Sequence, residues 1–299
     1  MNSGMVPNHL IIGARTGFLR SIKDVPAQWQ RIAMQINLDA KSNDLVDLGA
    51  APMPKRSKTG LTMQDFTERA LRVTAVDWDI TVHVTFNAVQ DDQTGQLYQR
   101  VASAGDNFNR HLNKIVFDAL NDGANTANYG ATYDGLSLFN ANHVDKGAAY
   151  TTVQSNVNTL PLTQDNFRTV YVAGSTRLDD NGEQTGYVPT LLVVPPALEW
   201  DAAQIATNAM SSGTANNDKN PYAGKIEYIV SPYLDSTSWY LIDPTAPIKP
   251  IILVMRQQPF LQDYWFDAEK PDGGWYCFKF FARYNAAFGE WRLATQGNT

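Results

Sequence analysis

Between residues 78 and 123 two hydrophobic periods meet back to back, which commits the chain to a sheet with a long helix running off it. From Trp78 to Phe86 every second residue is apolar (Trp78, Ile80, Val82, Val84, Phe86), with Asp79, Thr81, His83 and Thr85 between them. That alternation is a strand with one buried face. After Asp91 and Asp92, apolar residues recur at Leu97, Val101, Ala104, Phe108, Leu112, Ile115, Val116, Ala119 and Leu120, the spacing of one helical face, and Gly123 stops the run. A helix over 93–122 is about 45 Å long, well beyond the mean globular helix. Gly95 and Gly105 weaken it by about 1 kcal/mol each relative to alanine. Its other faces carry Gln96, Gln99, Arg100, Asp106, Asn109, Arg110 and Lys114, so one side is buried and the other meets water or a partner.

The residues before this junction read as appendages. Met5, Val6, Leu10, Ile11, Ile12, Phe18 and Leu19 show no sustained period and are interrupted by Gly13 and Gly17, which reads as an arm that docks elsewhere. An apolar segment over 29–36 is a candidate strand. Residues 51–60, APMPKRSKTG, form a turn-rich basic tip, and 71–75 alternate again, so the segment resembles an extended hairpin. Its tip either grips a neighbour or is simply solvated.

Beyond Gly123 the chain is rich in Asn, Gly, Thr and Ala up to residue 147, where turns dominate. Thr163, followed three residues later by Asn166, signals the start of a helix reaching about Ser175. A buried strand over 190–194 halts at Pro195 and Pro196, and a helix follows through Trp200 and Ile205 to Met210. Strands are expected over 225–230, 238–242 and 250–255, and one or two more in the aromatic run 275–291. This order of elements defines an α+β chain.

With 299 residues the chain can bury a sizeable core in one large domain or two. Its single cysteine, Cys277, leaves no disulfide framework and no cysteine-rich zinc site. The longest apolar run, near 250–255, is far too short for a bilayer, and the opening carries no basic-then-apolar signal, so a soluble chain without a membrane partner is expected. A net charge of −6 argues against a reader of nucleic-acid sequence, while an acidic wall suits a container for DNA, or solubility alone.

The chain shows no sign of a catalytic constellation. His9, His83, His111 and His143 are scattered without any metal-binding spacing, and His83 and His111 read as surface residues. There is no nucleophile elbow, phosphate loop or dinucleotide fingerprint. Asp91 and Asp92 suit the positive end of the long helix, and Asp179 and Asp180, before Asn181 and Gly182, suit a turn. No catalytic residue, metal site or cofactor is expected.

Eight segments, in order over nearly the whole chain, resemble the major head subunit of Mu-like tailed bacteriophages, which is similar in fold to Hong Kong 97-type shell proteins. They are IIGARTGFL (11–19), LGAAPMPKR (48–56), FTERALRVTAVDWDITVHVTFNAVQDDQTGQLY (66–98), YDGLSLFNANH (133–143), LLVVPPALEWDA (191–202), IEYIVSPYLDSTSWYLID (226–243), IKPIILVMRQQP (248–259) and RYNAAFGEWRLA (283–294).

The resemblance implies a Hong Kong 97-like α+β fold in five parts. These are an N-terminal arm (1–43), an extended β-hairpin loop overlapping an adjacent subunit (44–77), a peripheral domain (78–160) with its spine helix over 93–122, a mixed α/β axial domain (161–274), and C-terminal strands (275–299) returning to the junction of the two domains. It also implies a structural role, in which copies form hexamers and pentamers closing into an icosahedral head around double-stranded DNA, held without sequence-specific contact. The expected partners are further copies, a separate scaffolding protein, a portal and a decoration protein, with assembly in the host cytoplasm and residence in the virion of a phage or prophage. Candidate inter-subunit contacts are Phe18, Leu19, Pro54, Lys55, Arg56, Lys58, Arg100, Arg110 and Lys114. Lys55 and Lys58 lack a matching motif for covalent crosslinking. The alternatives are an encapsulin-like compartment, a tail or decoration protein, and a hydrolase or lyase acting through Asp, Glu and Tyr side chains.

Overall fold

The computed structural model describes residues 28–47, 69–91, 96–144, 152–210, 219–235, 237–266 and 274–298. A 3-10 turn (Gln28–Arg31) leads into β1 (Ala33–Asn37), β2 (Ser42–Asp47), β3 (Arg69–Thr74), β4 (Val76–Thr85), the short helix α1 (Phe86–Asp91) and the long helix α2 (Gln96–Asn121). After a stretch of turns come β5 (Val157–Asn158), α3 (Gln164–Ser175), β6 (Leu191–Val194), a 3-10 turn (Pro196–Leu198) running into α4 (Glu199–Ala206), β7 (Glu227–Val230) and β8 (Ser238–Ile242). The chain closes with β9 (Ile251–Phe266), β10 (Trp275–Phe288), a 3-10 turn (Trp291–Leu293) and β11 (Ala294–Asn298).

Two sheets organise these elements. The first has the order β1-β9-β10-β4, with β9, β10 and β4 antiparallel and β1 parallel to the start of β9. The second has the order β5-β11-β8-β6-β7. A separate ribbon pairs β2 with β3, Ser42 opposite Thr74 through Asp47 opposite Arg69, and is the base of the expected hairpin. Its tip lies outside the described residues, as does the arm before Gln28.

Periodicity places the core. Alternate residues of β10, namely Tyr276, Phe278, Phe280, Ala282 and Tyr284, are buried in one cluster with Phe108, Ile115, Val116, Ala119 and Leu120 of α2. Each large apolar side chain so buried contributes about 1.5–3 kcal/mol. The same cluster takes in Leu191 and Val193 of β6 and Tyr240 and Ile242 of β8, so α2 and the first sheet meet one face of the second. The other face, with Leu192, Val194, Trp239 and Leu241, is covered by Phe167 and Val170 of α3 and Ala202 and Ile205 of α4. Burial on both faces explains why β6 reads as an unbroken apolar run.

The structure corrects several expectations. Phe86 is not the last strand residue but the first of α1, because the Thr85 hydroxyl accepts a hydrogen bond from Ala88 N at 3.3 Å and turns the chain helical. Asp91 therefore ends α1 and does not cap the long helix. Helix α4 stops at Ala206 and not at Met210, since the Asn220 amide donates to the carbonyls of Ile205 (2.9 Å) and Asn208 (3.0 Å) while Gly224 N takes that of Ala206 (2.9 Å). Thr163 caps α3 as expected, but the Asn166 side chain donates to Pro161 O at 2.9 Å and does not return to the cap.

The largest difference is β9, a 16-residue strand where the sequence pattern ends at Met255. Residues 256–259, Arg-Gln-Gln-Pro, hide its continuation. Pairing steps from Phe281 opposite Phe260 to Arg283 opposite Gln257, so Gln258 and Pro259 together oppose Ala282. That is a β-bulge, where a proline without an N–H is tolerated. It follows that β9, inside the 161–274 span expected for the axial domain, belongs to the sheet of β4 and β10.

Candidate assembly surfaces

On the exposed side of α2, Arg110 is open to solvent, and Lys114 pairs with Asp118 one turn on at 2.6 Å. Arg100 lies in the same helix. Those three share one element, whereas Phe18, Leu19, Pro54, Lys55, Arg56 and Lys58 lie outside the described residues.

The face of the first sheet opposite α2 is built from the other alternate residues. Asp77 pairs with Arg283 at 2.6 Å, and Asp79 lies 3.9 Å from Lys279. The Phe260 and Phe281 rings meet edge to face at 5.7 Å, and Thr81, His83, Tyr264, Trp275 and Cys277 line an open cleft of about 350 Å³. His83 is exposed, as its place on the strand implies. Burial pushes the Cys277 thiol up, against a hydrogen bond from Tyr264, which keeps it protonated and poorly nucleophilic. An apolar groove of about 210 Å³ lies under the ribbon, lined by Met34, Ile36, Leu45, Leu71, Ile248 and Ile252 among others.

His111 is not the surface residue the sequence implies. Its ring sits 4.4 Å from Trp78, and its Nδ1 is 2.7 Å from the Tyr284 hydroxyl. Burial and the Lys114 charge hold its pKa below the usual histidine value, against the opposing Asp118 charge.

The most constrained constellation is one that sequence reasoning missed. Asp134 and His143, both without side-chain exposure, meet at 2.6 Å between Asp134 Oδ2 and His143 Nδ1. His143 Nε2 faces Leu138 O at 3.2 Å, and its ring stacks on Trp291 at 4.1 Å and 3°. Burial raises the Asp134 pKa, but the bonds from His143 and Thr132, the His143 charge and the Leu136 N–H outweigh it and hold the carboxyl below its ordinary range. Beside the pair, Arg292 lies over the Trp291 ring and donates to Glu290 (3.1 Å), to the Tyr133 hydroxyl and to Leu178 O (3.0 Å). Fully buried Arg177 donates to the carbonyls of Arg292 (2.6 Å) and Ala294 (3.1 Å) and to the Thr295 hydroxyl (2.6 Å). Its pKa is pulled down to about 10 by burial, against the Glu290 charge. A carboxylate-paired histidine resembles an acid–base pair, but neither side chain here is exposed, and the pair is bonded into the surrounding turns. Two of the resembling segments, 133–143 and 283–294, pack on each other here, although neither local pattern marks these polar residues as buried.

The long helix laid along an antiparallel sheet, with both packed on one face of a second, mixed sheet, is an arrangement shared with solved shell proteins. The procapsid of bacteriophage JBD30 matches with a TM-score of 0.60 at 18% identity, covering 100% of this chain and 76% of that one. A virus-like particle from Pyrococcus furiosus matches with a TM-score of 0.55 at 9% identity, over 95% and 97% of the two chains. These likenesses show the fold. The family model described as phage capsid protein matches residues 68–295, and the chain belongs to that family. The major capsid protein of Escherichia phage Mu is 25% identical over 134 residues, which span 45% of this chain and 43% of the Mu protein.

Proposed function

We propose that this chain is the major capsid protein of a tailed bacteriophage or prophage, and that its copies form hexamers and pentamers closing into an icosahedral head around double-stranded DNA. The family match over 68–295 carries the reading. In this account α2 is the spine helix of the peripheral domain, joined there by β4, β9 and β10, while the sheet of β5, β6, β7, β8 and β11 with α3 and α4 is the axial domain. The paired base of β2 and β3 supports an extended loop that overlaps a neighbour through Pro54, Lys55, Arg56 and Lys58, and the segment before Gln28 serves as the arm, with Phe18 and Leu19 docking. Arg110 and Lys114 present the exposed side of α2 to other copies, with Arg100 on the same helix as a further contact. A scaffolding protein, a portal and a decoration protein complete the head during assembly in the host cytoplasm, and the subunit itself performs no catalysis.

Deleting residues 1–28, or replacing 54–58 by a glycine linker, tests these roles. Each variant is expected to fold, with an unchanged circular dichroism spectrum, and to fail to close shells in negative-stain micrographs. Normal shells from both would contradict the assignment.

A further inference from the structure

The chain passes between the α2 and first-sheet layer and the second sheet three times: between α2 and β5, over 243–250 and over 289–293. The apolar core spans this junction, but apolar contact is non-directional and by itself tolerates sliding of one layer over the other. Directed bonds do not tolerate it.

All three passages are tied by such bonds. Gly289 N donates to Pro250 O at 2.8 Å, pinning two of them together where a Cβ on Gly289 would stand 2.4 Å from Lys249 O. Tyr133 OH donates to Glu290 at 2.8 Å and His143 stacks on Trp291, which pins the third. Asn156, entering the second sheet, donates to Leu138 O (2.6 Å) and Trp291 O (3.2 Å). The last residue of α2 reaches across as well: Asn121 donates to Tyr233 O at 2.7 Å and accepts from Asp235 N at 3.1 Å.

We infer that the buried cluster of Asp134, His143, Trp291, Arg292 and Arg177 is a clasp that fixes the angle between the α2 layer and the five-stranded layer, so that the described core moves as one rigid body. Its groups are worth little as net stability, because desolvating charges offsets most of their attraction. What they supply is a single geometry. Resting on the capsid reading, the inference extends to assembly: copies in five-fold and six-fold rings share this one layer angle, and loosening the clasp gives shells of mixed diameter.

Pulsed electron spin resonance tests the angle on the full chain. Spin labels at Asn107→Cys on α2 and Arg168→Cys on α3, both exposed, span the two layers, in a background where Cys277, which lines the open cleft, is replaced by Ser. Labelled chain is diluted into unlabelled copies so that only distances within one copy are read. The unaltered clasp should give one narrow distance distribution, and His143→Gln or Arg292→Lys should broaden or split it while circular dichroism stays unchanged. Arg292→Lys keeps the charge and so serves if His143→Gln unfolds. A broad distribution in the unaltered chain, or a narrow one in both clasp variants, would overturn the clasp. Electron microscopy of the same variants reads the second part: uniform shells from a loosened clasp contradict the extension to assembly. Absence of any shell from the unaltered chain, both alone and with a candidate scaffold, contradicts the capsid reading, an outcome separate from the distance result.

Discussion

His143 Nδ1 lies 2.6 Å from Asp134 Oδ2 with neither side chain exposed, and the imidazole is pressed flat on Trp291 at 4.1 Å. A buried pair of this kind survives because each remaining polar atom is also met. Asp134 Oδ1 accepts from Leu136 N at 3.0 Å and from the Thr132 hydroxyl, and His143 Nε2 faces Leu138 O. Removing one partner leaves the other buried with a polar atom unmet. Asp134→Asn should therefore cost about 1–3 kcal/mol in urea unfolding at neutral pH. A loss below about 1 kcal/mol would show that the pair is replaceable by ordinary polar contacts.

The depressed pKa of His111 sets a pH dependence of known sign. A base whose folded value lies below its unfolded 6.5 contributes stability that is fully present above the unfolded value and lost as pH falls through the folded one. The midpoint of thermal unfolding should drop as the pH is lowered past about 6.5, and His111→Gln should flatten that part of the profile. An unchanged slope in the variant would assign the effect to another group.

Gly289 is a position where any side chain is costly. A Cβ there would lie 2.4 Å from Lys249 O, a backbone atom, and 3.2 Å from Ile252 Cγ1. Gly289→Ala is expected to lose roughly 1–3 kcal/mol, read from the shift in chemical denaturation midpoint.

Lys114 separates folding from assembly. Its ion pair with Asp118 is half exposed, and such helical pairs are worth about 0.3–0.5 kcal/mol, so Lys114→Ala should leave the subunit's melting curve nearly unmoved. As a contact between copies, the same substitution should raise the concentration needed for shells in a light-scattering titration. An unchanged threshold would remove Lys114 from the interface.

Much of the architecture is legible in sequence where one period runs undisturbed. The alternation of β4, the long face of α2, the Thr163 cap and the apolar run of β6 each depend on near neighbours in the chain, and each forms close to where the pattern places it. β9 was cut short because Gln257, Gln258 and Pro259 break the alternation at a bulge that only pairing with β10 explains. The clasp was invisible for a different reason. Tyr133 and Arg292 are 159 residues apart, and nothing in either local pattern marks a polar side chain as buried. His111 was misplaced on the same account, since its partner Tyr284 lies in a different element.

Closure of copies of this chain into shells is read most directly by negative-stain electron microscopy with light scattering on the purified chain, alone and with a candidate scaffold. Closed icosahedral particles of uniform diameter, carrying hexamers and pentamers, are the expected result. A monomer or a small fixed oligomer under both conditions would contradict it.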